Sequence, residues 1–533
     1  MALYAFLRNH PRPTVHQLEE AIDGNICRCT GYRSILDAAK SFGVDKVSCR
    51  PAGGGCCGDA PAGGCCMSKS AFEKEITKTG AVDALGRTLF RVVTSTADKV
   101  TAAPCDTVWS ADSEPIFPPF LKTHPIPSSL AIIGSAVSWY RPTSLTELLE
   151  LKTRFPAGRL IGGNSEVGIE MKFKDAKFPV LISMAHVPEL RALSVARPRS
   201  VAAAALATAL GLHTSAGTDV DVLEVNTGSV DCKTVSRDEI LGALSTSGGM
   251  IIGGAVTLSQ LRDSCDELLH DDSLPSYCTR PCAAAYNILR WFASTQIRNV
   301  ATLAGNVATA SPISDMNPLL VAMQAVACVA SPSTGSRRLI SFTKMFKSYR
   351  KTEIGPDEVI VSMFLPFCSE FEFVCAYKQA RRREDDITLV GAAFRAQLAP
   401  VDAGNDWKVV SAGAAFAGMS PITVQAPSMI RALVGGLWTE STIQTACEGL
   451  HADLPLPLAV PGGKPAILWS SSWLLVLPCI WCAQAWQRFA SLFLHPCCSS
   501  FSYPRVSTYS SSCCAYETKA CQMHQLSQTL CAR

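Results

Sequence analysis

The sequence lacks a charge excess of either sign. Its 533 residues contain 48 lysines and arginines against 45 aspartates and glutamates, which leaves a formal net charge of +3 at pH 7. Nucleic acids and acidic membrane surfaces attract proteins through a basic excess. We therefore expect neither nucleic acid nor a membrane as a partner.

A secretory signal is also missing from the N-terminus, which shows no charged segment followed by an apolar run and a small-residue cleavage site. We expect a cytoplasmic protein, and a peroxisomal location stays open although no signal for it is seen. In a reducing compartment the 24 cysteines do not predict a disulfide framework. They are candidate metal ligands or bystanders.

Periodicity and composition divide the chain into segments. Its length allows two or three domains with separate cores. After residue 115, short apolar runs such as 159–161 and 180–183 alternate with helical stretches such as 145–153, which indicates α+β structure. The expected segments are a helical region at 1–45, a Gly/Cys-rich linker at 46–115, a domain at 116–330 with a surface insertion at 196–247, a second domain at 338–454 and a tail at 464–533.

The helical region carries a capping-box spacing, with Thr14 three residues before Gln17. Apolar residues on one face after it predict a short amphipathic helix that ends at Gly24. Cys27 and Cys29 follow within N-I-C-R-C-T-G-Y-R, in a turn at the helix end.

The tail changes abruptly toward Trp, Cys and Ser. Residues 466–487 are uncharged and approach membrane-spanning length, but a serine triplet and Pro478 interrupt them. A tail that is disordered or prone to aggregation is the expectation. A membrane-tethered protein is the alternative.

The first chemical motif is R-L-I-G-G-N-S-E-V-G-I-E at 159–170. An apolar strand enters a turn with two glycines, where backbone amides can converge on an anion such as pyrophosphate. The spacing is not the Gly-x-Gly-x-x-Gly of a Rossmann helix. An ordinary turn is the alternative.

The second motif, N-V-A-T-L-A-G-N-V-A-T-A-S-P-I-S-D-M-N-P at 299–318, consists mostly of small or hydroxyl-bearing side chains. A ligand could approach this backbone closely, with hydrogen bonds from Asn306, Ser314 and Asp315. The alternative is that Ser314 or Asp315 caps a helix.

The third motif, K-Q-A-R-R-R-E-D-D-I at 378–387, has nearly cancelling charges. It is either a solvated face or a polar loop beside a charged cofactor.

In this order and at these separations, the motifs resemble the molybdenum hydroxylase family, and within it the xanthine dehydrogenases. N-I-C-R-C-T-G-Y-R resembles the end of the helical [2Fe-2S] domain. R-L-I-G-G-N-S-E-V-G, and R-W-F-A with A-G-N-V-A-T-A-S-P-I-S-D, resemble the FAD domain, whereas Y-R-K-T and K-Q-A-R-R-R-E-D-D resemble the C-terminal flavoprotein subdomain. The resemblance implies a partial helical [2Fe-2S] domain, a two-subdomain FAD-binding domain of the vanillyl-alcohol-oxidase/CO-dehydrogenase-flavoprotein type and a C-terminal α/β subdomain.

The resemblance also implies which residues contact the flavin. One group lines the FAD, a second holds its pyrophosphate and ribose, Phe292 and Ile360 sandwich the adenine, and Lys378 contacts the flavin region. Core packing is the alternative for the adenine pair. The first group is Leu160, Gly163, Asn164, Ser165, Glu166 and Val167, and the second is Thr302, Gly305, Asn306 and Asp315.

In the implied mechanism, electrons pass from molybdenum through two [2Fe-2S] clusters to FAD and then as hydride to NAD⁺. Tyr349 and Asp385 are candidates for the nicotinamide side. Arg290 with Trp291, Arg383 and the acidic pair at 385–386 resemble the dehydrogenase pattern, and a surface Arg-Trp pair is the alternative. Full-length relatives are homodimers.

The sequence departs from the family at both ends. A [2Fe-2S] cluster needs four thiolates, and Cys27 and Cys29 match only one of two expected pairs. After L-A-V-P-G-G the family would continue into a molybdopterin domain, which this sequence does not resemble, so we expect no bound molybdopterin and no purine hydroxylation. The linker cysteines are mobile thiols or a zinc site. An aldehyde oxidase-type flavin module and a non-catalytic fragment are the alternatives.

Overall fold

The computed structural model describes residues 2–45, 129–198, 223–224, 234–235, 246–332, 337–401 and 406–456, except positions 11, 26, 28, 383 and 384. The linker at 46–115, the tail at 464–533 and nearly all of the insertion at 196–247 lie outside the described residues, so their interpretations stay predictions. Among the described helices, none is long and apolar enough to cross a membrane.

Three short helices form the N-terminal region. Thr14 accepts a hydrogen bond from the backbone amide of Gln17, whose side chain accepts one from the amide of Thr14. The predicted capping box is thus confirmed, and it starts the second helix, whose Leu18 is fully buried. The helices are α1 (Ala2–Asn9), α2 (Val15–Ala21) and α3 (Arg33–Lys40).

A four-stranded sheet opens the next region, with strand order β1-β2-β4-β3. The pairs β2–β4 and β3–β4 are parallel, whereas β1 pairs antiparallel with β2. Leu148 of the first helix packs with Ile182 of the sheet. The elements are β1 (Leu130–Ile133), β2 (Ser138–Arg141), α4 (Leu145–Arg154), β3 (Arg159–Ile161), α5 (Val167–Phe173), β4 (Val180–Ser183) and α6 (Pro188–Arg191).

A five-stranded antiparallel sheet follows, in the order β10-β9-β13-β8-β5. Helices cover it and share one large core with its strands, in which Met250, Val329 and Met363 are buried. The strands are β5 (Leu193–Ala196), β6 (Leu223–Glu224), β7 (Thr234–Val235), β8 (Gly249–Gly253), β9 (Val326–Ala330), β10 (Arg337–Ser341), β11 (Phe346–Ser348), β12 (Lys351–Thr352) and β13 (Val359–Pro366). The helices are α7 (Leu258–Leu269), α8 (Arg280–Arg290), α9 (Thr295–Arg298), α10 (Leu303–Thr309) and α11 (Asn317–Ala322).

The last region is an antiparallel meander with two helices on it. Phe394 and Phe416 meet edge to face, with ring centroids 5.5 Å apart, in a core shared with Ile443 and Leu450 of the final helix. The elements are β14 (Glu372–Ala380), β15 (Thr388–Pro400), β16 (Trp407–Ala417), β17 (Val424–Gln425), α12 (Pro427–Leu433) and α13 (Glu440–Asp453).

The expected division between domains at residues 330–338 is wrong. β9 pairs with both β10 and β13, and β13 pairs with β8, so residues 337–366 complete the five-stranded sheet. The separate sheet begins only at β14. The run 326–330 looked like a domain end because it is apolar throughout, yet it is a strand buried on both faces. For the same reason Y-R-K-T lies in the β11–β12 hairpin and not in the C-terminal subdomain.

Arg395 joins the C-terminal sheet to the preceding region and also forms a buried ion pair within that sheet. Arg395 of β15 donates to the carboxylate of Glu372 over 2.7 Å and, through Nε, to the carbonyl of Ala322 in α11 over 3.1 Å. About a tenth of each charged side chain is exposed. Removing one partner would leave a buried charge uncompensated.

We expect Arg395→Ala to lower the free energy of unfolding by about 3 kcal/mol, the cost of breaking a buried pair. Chemical denaturation followed by circular dichroism measures this loss. Arg431→Ala is the matched control, because Arg431 is exposed and bonds only Ser428 among the described residues. A loss equal to that of the control would show that the contacts of Arg395 do not stabilise the protein.

Candidate functional site

A cavity of about 840 Å³ lies between the four-stranded sheet, the five-stranded sheet and the C-terminal region. Its walls are the turn after β3, the segments around α9 and α10, the end of β12 and the loop between β14 and β15. The turn after β3 lies at the carboxyl end of parallel strands, where open sheets commonly bind ligands. The volume is within the range of cofactor pockets, which hold roughly 300–1,000 Å³.

All thirteen residues that the resemblance assigns to FAD line this one cavity. They come from positions between 160 and 378, so the fold brings together residues that are distant in the sequence. Their roles toward FAD stay predictions. The residues are Leu160, Gly163, Asn164, Ser165, Glu166, Val167, Phe292, Thr302, Gly305, Asn306, Asp315, Ile360 and Lys378.

The turn after β3 depends on a close backbone approach. A Cβ atom at Gly163 would overlap the carbonyl group of Val300 and lie 2.7 Å from the amide nitrogen of Ala301. Asn164 has a φ of 58°, a left-handed conformation that asparagine tolerates better than most residues. Among the described residues, none accepts a hydrogen bond from the backbone amides of 163–167. These amides are free to donate to an anion in the cavity.

The second motif forms the opposite wall. Thr302 caps α10, because its hydroxyl oxygen accepts from the amide of Gly305 over 3.0 Å. Ser314 donates to the side-chain oxygen of Asn306 over 2.6 Å. The side-chain nitrogen Nδ2 of Asn306 donates to no described residue, so it can donate into the cavity. Ser314 also accepts from the backbone amide of Asn317, the first residue of α11, although the N-cap position itself is Met316. A ligand role for this run stays a prediction.

Asp315 and Lys378 form a buried ion pair with 2.7 Å between carboxylate and ammonium. Thr388 donates to the other carboxylate oxygen, and Lys378 also donates to the carbonyl of Trp291 over 3.0 Å. Burial raises the pKa of Asp315, although the ammonium and the hydroxyl act in the opposite direction. The sequence had suggested separate roles for Asp315 and Lys378, whereas each is the other's main partner.

Three models of known families match the chain. The FAD binding domain in molybdopterin dehydrogenase matches residues 135–222 and 230–368, the CO dehydrogenase flavoprotein C-terminal domain matches 375–466, and the [2Fe-2S] binding domain matches 1–40. The chain belongs to the molybdenum hydroxylase family. The FAD-binding match ends at residue 368 and the C-terminal match begins at residue 375. The boundary between these two matches therefore agrees with the boundary between the two sheets, which lies after β13.

Curated relatives in this family carry the name xanthine dehydrogenase. The chain is 34% identical over 473 residues to xanthine dehydrogenase/oxidase of Gallus gallus and 35% identical over 468 residues to xanthine dehydrogenase of Emericella nidulans. Both alignments cover 87% of this chain, but only 30% and 29% of the relatives, so the chain spans about three tenths of their length.

A solved structure of carbon monoxide dehydrogenase from Hydrogenophaga pseudoflava aligns with 66% of this chain and 99% of its own, with a TM-score of 0.48 and 18% identity. The family assignment rests on the sequence matches and not on this likeness.

The cavity fits the FAD that this family's domain binds. Free backbone amides at 163–167 suit a pyrophosphate, and Phe292 and Ile360 supply apolar surface for a flat base. Cations and carboxylates on the walls largely pair with each other, as in Lys378 with Asp315. The anion-binding capacity therefore comes mainly from the backbone.

The two nicotinamide-side candidates are not brought together. Asp385 lines the cavity, whereas Tyr349 is 60% exposed in the β11–β12 turn and is not among the lining residues. Arg290 stacks over the ring of Trp291 with 4.9 Å to the ring centroid. Arg383 lies outside the described residues.

Cys27 and Cys29 lie in the turn before α3. Hydrogen bonds from the Thr30 hydroxyl and from backbone amides lower the pKa of the Cys27 thiol, which favours the thiolate that binds iron. The described residues contain no group of three or more His, Cys, Asp or Glu side chains arranged to hold a metal. The [2Fe-2S] domain is thus present as a family match, and a ligand role for these two cysteines stays a prediction.

Sequence reasoning missed Lys152 and Arg350. Lys152 lines the cavity at 3% exposure and donates to the carbonyls of Pro156 and Gly158 over 2.6 and 3.1 Å. It lies on the buried face of α4 with Leu145 and Leu148, a periodicity that could have revealed it. Arg350 pairs with Glu166 of the turn across a large sequence separation, and no local pattern signals such a contact.

We expect Gly163→Ala to abolish FAD retention, because the added Cβ overlaps the Val300 carbonyl and forces the turn away from α10. Flavin absorbance per mole of purified chain measures the loss. Gly391→Ala is the control, since a Cβ there meets its nearest neighbours at ordinary contact distances from 3.5 Å. Full flavin content in Gly163→Ala would contradict this account of the turn.

We expect Lys378→Met to lower the free energy of unfolding at pH 7 by about 3 kcal/mol, because it leaves the Asp315 carboxylate buried without its cation. The ammonium lowers the pKa of Asp315 against the effect of burial, so its removal raises that pKa further in the folded variant. Folding then favours the protonated carboxyl more strongly in the variant than in the wild type, so the loss should shrink as the pH falls toward 5 and grow as it rises. Denaturation of variant and wild type at both pH values tests the sign. A loss that grows toward acid would contradict it.

Proposed function

We propose that this chain binds FAD in the central cavity and passes electrons from the flavin to NAD⁺, as the electron-output part of a xanthine dehydrogenase-like oxidoreductase. The observation that carries the proposal is the convergence of the FAD-assigned residues on one cavity beside five free backbone amides. When bound, the flavin would accept reducing equivalents and release them as hydride. The residues of the chain bind it, orient it and exclude water.

Different walls would hold different parts of FAD. The backbone amides of 163–167 would bind the pyrophosphate, and the side-chain nitrogen Nδ2 of Asn306 would donate to it or to the ribose. Phe292 and Ile360 would enclose the adenine between apolar surfaces. Lys378, fixed by Asp315 and by the Trp291 carbonyl, would present a cation at a defined place near the flavin.

The names of the relatives support xanthine as the source of electrons and a dehydrogenase as the type of enzyme. NAD⁺ as acceptor, hypoxanthine as a further source of electrons and urate as product belong to the proposal itself. The Arg290–Trp291 stack supports the dehydrogenase type over the aldehyde oxidase type, because a cation on an aromatic ring can latch a neighbouring loop. Arg382, Asp385 and Asp386 belong to a loop near this stack, since they line the cavity together with Phe292, the residue that follows Trp291. A cytoplasmic location and a homodimer remain part of the proposal.

The full chain, purified with FAD, tests the proposal in an anaerobic cuvette. We expect flavin bands in the visible spectrum that bleach on addition of NADH, because hydride transfer to the flavin is the reverse of the proposed output step. The Gly163→Ala variant serves as the flavin-poor control. Bands that NADH leaves unchanged would refute the NAD⁺ part, and a colourless wild-type protein would refute FAD binding.

A further inference from the structure

One buried guanidinium lies between the N-terminal helices and the cavity. Arg298 ends α9 and is 1% exposed. Its Nη1 donates to the carbonyl oxygens of Phe292 and Ala293 over 2.9 and 2.8 Å. A single side chain thus holds two consecutive peptide groups of the 290–298 segment.

The other side of the same guanidinium faces the N-terminal helices. Its Nη2 lies 3.5 Å from a carboxylate oxygen of Asp23, just after α2, and donates to the Thr295 hydroxyl over 2.9 Å. The Asp23 carboxylate is itself mostly removed from water, and this burial raises its pKa although Arg298 lowers it. Asp23 precedes Cys27 by four residues, so the contact lies at the base of the cysteine-bearing turn.

Further contacts join α2 to the same segment. Arg290 pairs with Glu20 over 3.1 Å, and the Thr295 hydroxyl donates to the carbonyl of Glu20 over 3.3 Å. A Cβ at Gly24 would overlap the side chain of Ser294. The end of α2 is therefore packed closely against residues 290–298.

The opposite face of this segment forms a wall of the cavity. Phe292, Ala293 and Ile297 line it. Ala293 has a φ of 44°, which costs about 1 kcal/mol or more for a residue with a Cβ and requires support from its surroundings. Arg298 supplies that support through the Ala293 carbonyl.

We propose that Arg298 is a positioning residue through which docking of the [2Fe-2S]-binding segment shapes the FAD cavity. While the Asp23 carboxylate contacts the guanidinium, the orientation of the Arg298 side chain is fixed. Its hydrogen bonds to the Phe292 and Ala293 carbonyls then hold this wall of the cavity in the conformation that binds the flavin. Without the Asp23 carboxylate, the orientation of the guanidinium is no longer fixed, and its hydrogen bonds hold residues 292 and 293 less firmly. The inference rests on the proposed binding of FAD in this cavity.

The dissociation constant of FAD, measured by flavin fluorescence on the full chain, tests the coupling. Asp23 does not line the cavity, so Asp23→Asn removes no direct contact with FAD. Its carboxylate also interacts electrostatically with Asp385 of the cavity wall, and the double-mutant cycle with Arg298 separates that effect from positioning. We expect it to weaken FAD binding roughly tenfold, within the usual range of coupling between sites. Glu19→Gln is the matched control, because Glu19 lies on the same helix and pairs instead with Lys40 of α3.

A double-mutant cycle separates positioning from general destabilisation. In the Arg298→Lys variant, the ammonium lacks the planar guanidinium geometry that contacts both carbonyls and the carboxylate at once. In this background, Asp23→Asn should change the dissociation constant of FAD by less than about twofold. Equal losses in Asp23→Asn and Glu19→Gln, no loss in Asp23→Asn, or additive losses in the cycle would each overturn the proposal.

A second readout needs no flavin. Hydrogen exchange of the amides at 292–298 in the FAD-free chain should quicken in Asp23→Asn and not in Glu19→Gln. A wild-type chain that binds no FAD would refute the proposed function, yet exchange would still show whether Asp23 holds the wall. Unchanged exchange in Asp23→Asn would refute the coupling alone.

Discussion

The cavity exists because two backbone turns approach with no side chain between them. Gly163, after a parallel strand, lies against the carbonyl of Val300, which precedes the helix capped by Thr302. This approach leaves the amides of 163–167 along the cavity without an acceptor among the described residues. The large core under the five-stranded sheet holds the second turn in place, and the small four-stranded sheet carries the first.

Charge on the cavity walls is mostly compensated within the protein. Lys378 pairs with Asp315, Arg350 with Glu166, and Arg159 with Glu170 over 3.1 Å. The first two pairs join segments that are far apart in sequence, so they fix the relative positions of those segments. Backbone amides are then the donors that remain, and they suit a pyrophosphate better than a monovalent cationic ligand.

Local patterns in the sequence predicted several elements of the fold. The capping box at Thr14 and the strands at 159–161 and 180–183 need only neighbouring residues, and they are confirmed. The division between domains was misplaced because strand pairing is non-local, and β13 returns to the sheet beside β8 across a large part of the chain. The pairing of Asp315 with Lys378 and the position of Arg298 depend on the same long-range packing. Residue identities suggested which groups meet the cofactor, but not which of them meet each other.

Hydrogen exchange at the turn after β3 tests the central claim most directly. The amides of 163–167 should exchange quickly in the FAD-free chain, because no described group protects them. Saturation with FAD should slow them strongly, since they would then donate to the pyrophosphate. Rates at 163–167 that stay the same with and without bound FAD would contradict the account of this cavity as a backbone-built flavin site.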